Sequence, residues 1–124
     1  MVRKFLYAYD GGLKVLFKYY YGTISLDDIR ESWEHAFAHR LIPRGTKAFV
    51  IDYREAILTI PIAATYKIAE FYRNNGKYFK DARVAVITER PDQVVFPTLV
   101  EQLDDGYATR PFFTLEAAIE WATG

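Results

Sequence analysis

Cysteine is absent from the 124 residues, and histidine occurs only twice, as His35 and His39. Without cysteine there is no disulfide, no thiolate metal site and no cysteine nucleophile. With both histidines four residues apart, and no Gly-x-Ser-x-Gly elbow, Ser-His-Asp chemistry has no material. Charge of one sign is also missing. Sixteen Lys+Arg balance sixteen Asp+Glu, for a net charge of zero and a pI near 6.7. A nucleic-acid binder needs a basic surplus to displace phosphate counterions, so that class is excluded. No glycine-rich phosphate loop is present. The longest charge-free run, Ala56 to Tyr66, is about half a bilayer span and contains Pro61, so no membrane insertion is expected. Arg3-Lys4 followed by Phe5 to Tyr9 opens like a signal peptide, but Asp10 ends the apolar stretch. A cytoplasmic protein without a cofactor is the expectation.

What is abundant is apolar and aromatic surface: 51% of residues are hydrophobic and 17% are aromatic. There is no repeat, low-complexity segment or linker, so residues 1–124 read as one globular domain. Residues 3–9 and 14–21 are rich in β-branched and aromatic side chains. Asp10-Gly11-Gly12 between them predicts an antiparallel hairpin whose tight turn uses the positive φ of Asp-Gly. Along the second strand Val15, Phe17, Tyr19 and Tyr21 share one face, while Leu16, Lys18 and Tyr20 share the other. Core packing is expected for Phe17, Tyr19 and Tyr21, with Tyr20 outward.

Ser25 and Asp28 form an approximate capping box for a helix that buries Ile29, Trp33, Ala36 and Phe37. Ala48 to Asp52 and Ala82 to Thr88 are continuously apolar, as strands covered on both faces are. Pro61 opens a second helix carrying Ile62, Tyr66, Ala69 and Tyr72, which Asn74-Asn75-Gly76 ends. A third helix spans 92–104, with a kink or restart near Phe96 because of Pro97. Arg110 to Phe113 is a last strand, and Thr114 caps a last helix bearing Leu115, Ala118, Ile119 and Ala122. The order is a hairpin, then α(βα)3, which implies a mostly parallel α/β sheet with covering helices.

Three segments together resemble a known family. They are the hairpin ending in Tyr21-Gly22 before a helix, the strand end Phe49-Val50-Ile51-Asp52-Tyr53-Arg54, and the closing Phe113-Thr114-Leu115-Glu116-Ala117-Ala118-Ile119-Glu120-Trp121. The chain looks like a small stand-alone STAS domain, the fold of anti-sigma-factor antagonists and sulphate-transporter tails. Within it, the nearest look is to the uncharacterised bacterial branch grouped with CRAL-TRIO-like lipid-binding folds. The resemblance implies a regulatory or binding module and no catalysis. In the antagonists an Asp-Ser pair after the central strand carries a phosphorylated serine. Here Asp52 is followed by Tyr53 to Pro61 without a serine, and Thr59 is the one aliphatic hydroxyl, so no phosphosite is carried over.

In open parallel sheets ligands bind beyond the carboxyl ends of the strands. That rim holds Asp52, Tyr53, Arg54, Thr59 and Arg90, where Arg54 and Arg90 could clamp an anion. Mutual ion pairing across the rim is the bland alternative. Glu31, His35 and His39 have ligand spacing on one helix face, but that face lies opposite Trp33 and reads as solvated, so no metal site is assigned. The run Ala56 to Ile62 is apolar for a loop and either folds over a sheet edge or presents a contact surface. The expected partner is a protein or a second copy of the chain. The alternative is a small anion or lipid-like ligand at the rim.

Overall fold

The computed structural model describes residues 4–124. Arg3, placed in the first strand on sequence, lies outside the described residues. Five strands form one sheet in the order β1-β2-β3-β4-β5. They are β1 (Phe5–Asp10), β2 (Val15–Ile24), β3 (Ala48–Leu58), β4 (Arg83–Ile87) and β5 (Ala108–Phe112). β1 runs antiparallel to β2, and every other neighbouring pair is parallel. The two apolar segments lie side by side at the centre, with Phe49 opposite Val84 and Val50 opposite Ala85. The helices are α1 (Leu26–Ala38), α2 (Tyr66–Asn74), α3 (Gly76–Phe79), α4 (Val95–Gln102) and α5 (Leu115–Thr123).

Local chemistry accounts for most boundaries. Ser25 caps α1 in a full capping box: its Oγ accepts from the Asp28 amide at 3.1 Å, and Asp28 Oδ2 accepts from the Ser25 amide at 2.9 Å. Replacing Ser25 with alanine removes one of these and should cost about 1 kcal/mol. The urea midpoint should fall with the slope unchanged. Pro97 breaks nothing, because α4 restarts at Val95 after a short turn at Pro91–Gln93, and Pro97 falls in the first helical turn. There its missing N–H has no intrahelical partner to lose. Asn75 ends α2 without a left-handed residue: its Nδ2 donates to the Phe71 carbonyl at 2.8 Å, and Gly76 starts the one-turn α3. The hairpin turn also differs from expectation. Four residues, 11–14, make it, the positive φ sits at Lys14, and Asp10 Oδ1 accepts from the Leu13 amide at 3.0 Å.

Strand order decides how the sheet is covered. From β2 onward each crossover steps to the next strand in the same direction. Crossovers of one hand then put every connecting helix on one face. There α1, α2, α3 and α4 bury Trp33, Phe49, Ile51, Tyr72, Phe79 and Val84. α5, which follows β5, covers the other face over β3, β4 and β5. Its Ala118 and Ala122 pack on Val15, Val50, Ala85 and Ile87. A helix is about 10 Å wide. Five strands about 4.8 Å apart span roughly twice that, so the β1–β2 half of this face stays uncovered.

The faces of β2 are the reverse of the expectation. Tyr20 is 1% exposed in the main core, whereas Tyr21 is 38% exposed and Phe17 and Tyr19 are half-buried. Leu16, Lys18 and Tyr20 look into the side with four helices, and the other set looks into the side with one. β3 is likewise longer than the apolar run. It pairs with β4 only through Asp52, yet continues beside β2 to Leu58, opposite Ile24. Ala56, Ile57 and Leu58 are therefore strand, not loop, and this segment does fold along the sheet. Between the pairs Tyr19–Asp52 and Tyr21–Glu55, β3 carries one extra residue. This is a bulge, and Asp52 Oδ1 occupies the Arg54 amide there at 2.9 Å.

Candidate functional site

The bulge scatters the predicted rim. Asp52 and Arg54 come together: Arg54 Nε is 3.1 Å from both carboxylate oxygens and Nη2 is 2.7 Å from Oδ2. The hydrogen bond to Asp52 raises the Arg54 pKa, with Glu89 and Glu116 adding to the same field. This guanidinium is thus already neutralised by the chain's own carboxylates. Tyr53 points the other way, into the core, where its ring stacks on Tyr20 at 4.7 Å. Burial holds its hydroxyl in the protonated form by raising its pKa. Thr59 is exposed, with its amide and Oγ1 both donating to the Ile24 carbonyl, at 2.9 and 3.2 Å. Arg90 is exposed and pairs with Asp92 at 3.2 Å.

His35 packs edge-on against Phe5 with ring centroids 5.3 Å apart, and His39 lies 4.3 Å from His35. Among the described residues no group of three or more histidines and carboxylates is arranged to hold a metal ion. No helix among them is long and apolar enough to cross a membrane.

The unforeseen feature is Lys18. It is 1% exposed, on the strand face between Leu16 and Tyr20. Its Nζ donates to Ser32 Oγ at 2.5 Å and sits 3.6 Å from the Trp33 ring centroid, 4.6 Å from that of Tyr20 and 5.2 Å from that of Tyr7. Ser32 Oγ donates its one proton to the Ile29 carbonyl at 2.8 Å, so Tyr20 must be the donor in its 2.8 Å bond to Ser32. No carboxylate pairs with Lys18 among the described residues. Burial therefore pushes the Lys18 pKa well below the ordinary lysine value. The attraction of a desolvated cation to a ring is about 2 kcal/mol or more. Desolvating an ammonium costs several kcal/mol, and with no carboxylate to offset it burial favours the neutral amine. Lys18 and Ser32 have the composition of a base–nucleophile pair, but Ser32 is 0% exposed and its oxygen is already saturated with three hydrogen bonds. This polar cluster holds α1 to the hairpin.

A crevice between α2 and α4, lined by Tyr53, Leu58, Ile68, Tyr72, Phe96 and Val100, has a free volume of about 20 Å³. That is room for about one water molecule, against several hundred Å³ for a drug-sized ligand site. The surface offered to solvent is instead the uncovered half of the sheet. Leu6, Tyr21 and Ile57 are 49%, 38% and 42% exposed there, beside half-buried Phe17 and Tyr19. Burial and the neighbouring Asp52 charge raise the Tyr19 pKa.

This architecture is an α/β fold of the SpoIIAA-like, or STAS-like, kind. Among solved structures, an uncharacterised protein of the DUF3478 family from Shewanella loihica PV-4, described as having a SpoIIAA-like fold, superimposes with a TM-score of 0.63. The alignment covers 98% of this chain and 96% of that one at 17% identity, a likeness of fold. No protein-family model and no curated protein sequence matches the chain.

Proposed function

We propose that the chain is a non-catalytic, regulatory protein-interaction module that works in the cytoplasm through the uncovered half of its sheet. The observation that carries this reading is the single-helix cover of that face. Parallel strands are ordinarily covered on both sides, and here α5 leaves Leu6, Tyr21 and Ile57 in water beside Phe17 and Tyr19. Large apolar side chains left exposed together on one sheet face mark association sites. The narrow α2–α4 crevice and the self-neutralised Arg54 weigh against a preformed small-ligand site at those two places. The partner is a protein or a second copy of the chain.

The test compares wild type with a Tyr21→Glu/Ile57→Glu variant, whose substitutions fall on exposed side chains and should leave the circular dichroism spectrum unchanged. Light scattering and affinity capture from the native host are expected to give a dimer or a defined complex that the variant loses. A wild-type protein that is strictly monomeric and captures nothing, or a complex that the variant retains, would overturn the reading.

A further inference from the structure

We propose that the seam between β1 and α1 is an acid-triggered latch, in which a proton on the Lys18 amine releases the Tyr7 edge of the sheet. Tyr7 and Lys18 are cross-strand partners, and the Tyr7 ring lies over the amine. The Tyr7 hydroxyl donates to the Ser32 carbonyl at 2.6 Å, fastening β1 to α1 directly above the cage. The amine is thus enclosed between a helix that is anchored in the core through Trp33 and an edge strand that has only one sheet neighbour. An edge strand is the part of a sheet that opens at least cost.

The groups facing Lys18 are all neutral. They are Tyr7 from β1, Tyr20 from β2, and Ser32 and Trp33 from α1, with Tyr53 of β3 and Tyr72 of α2 behind them. Burial raises the pKa of each of these four tyrosines, so none supplies a counter-charge on acidification. The charged groups of the seam lie at its ends. Lys4 pairs with Asp28 at 3.1 Å, and His35 packs on Phe5 with His39 beside it. An ammonium at Lys18 therefore has only Ser32 Oγ and ring faces around it, no counter-charge, and recovers its remaining hydrogen bonds only from water. Of the four residues around the amine, Tyr7 is the one that is not fully buried.

The experiment is amide hydrogen exchange by NMR on the full chain between pH 9 and 5, corrected for the intrinsic pH dependence of exchange. One proton taken up on opening raises the opening constant of the β1 amides tenfold per pH unit. That slope is expected for the amides that bond β1 to β2, at opening free energies well below those of β4 and β5, and should be lost in Lys18→Met. It should persist in a His35→Gln/His39→Gln variant. Should Lys18→Met fail to fold, the side-chain methylene resonances of Lys18 in wild type supply the second measurement, with a midpoint far below that of solvent lysines. A flat opening constant in β1, β1 amides that open no more readily than those of β4 and β5, a slope retained in Lys18→Met or lost in the histidine variant, or an ordinary lysine midpoint would each overturn the proposal.

Discussion

Replacing Trp33 with alanine should lower the stability by about 3–5 kcal/mol, a large share of the roughly 5–15 kcal/mol that holds a small domain folded. Trp33 is 0% exposed and meets four aromatic rings: Phe79 at 5.1 Å, Phe49 at 5.7 Å, Tyr7 at 5.9 Å and Tyr72 at 6.2 Å. These come from α3, β3, β1 and α2, so one side chain ties together elements distant in sequence. Its removal leaves a cavity ringed by large rigid side chains that cannot collapse into it, which puts the cost at the upper end of the range. A 124-residue domain unfolds with an entropy of about 0.26 kcal/mol per kelvin near its midpoint, so the expected fall in Tm is about 12–20 °C. Calorimetry of Trp33→Ala checks this, and a fall of only a few degrees would mean that the ring network is not the keystone of the core.

The second large effect concerns pH. Most proteins are most stable between about pH 5 and 8, whereas this one should be most stable close to pH 10. The sign follows from proton counts. Burial lowers the Lys18 pKa, so below the ordinary lysine value the unfolded chain holds a proton that the folded chain lacks. Stability then rises with pH through that window, by about 1.4 kcal/mol per unit for one proton. Tyr7, Tyr20, Tyr53, Tyr72 and Tyr107 are shifted upward, chiefly by burial. Above about pH 10 they keep protons in the folded state that the unfolded state loses, and stability falls again. Urea denaturation from pH 6 to 11 should show this alkaline maximum, and Lys18→Met should be more stable than wild type at pH 7 and lack the rising limb. A wild-type maximum near neutrality would show that the amine stays charged in its cage.

Much of the fold was legible because its signals are local. Ser25 with Asp28, Thr114, and the two buried strands around Val50 and Val84 all announce themselves within a few residues. Strand order is a non-local property, and no window of sequence carries it. That order is what leaves half of one sheet face bare, so the proposed contact surface was visible only as an excess of aromatic residues. The faces of β2 were misjudged because a lysine ordinarily marks the solvent side. The neighbouring signal pointed correctly: Leu16 and Tyr20, two residues to either side, are both core residues. Arg54-Glu55 ended the apparent strand after Asp52 for a similar reason. Two adjacent charged residues look like a loop, whereas they stand side by side at a bulge and the strand goes on.

The extra residue in β3 has a further consequence for how the chain tolerates change in length. Ala56 and Leu58 reach the interior only because Tyr53 and Arg54 together stand opposite a single residue of β2, while Glu55 and Ile57 lie opposite Tyr21 and Thr23 on the outer face. Deleting Arg54 would restore strict alternation with Glu55 still opposite Tyr21, so Ala56 and Leu58 would keep their inward faces. This short stretch should therefore tolerate the loss of one residue better than the strictly alternating strands beside it, where a one-residue slip exchanges the two faces.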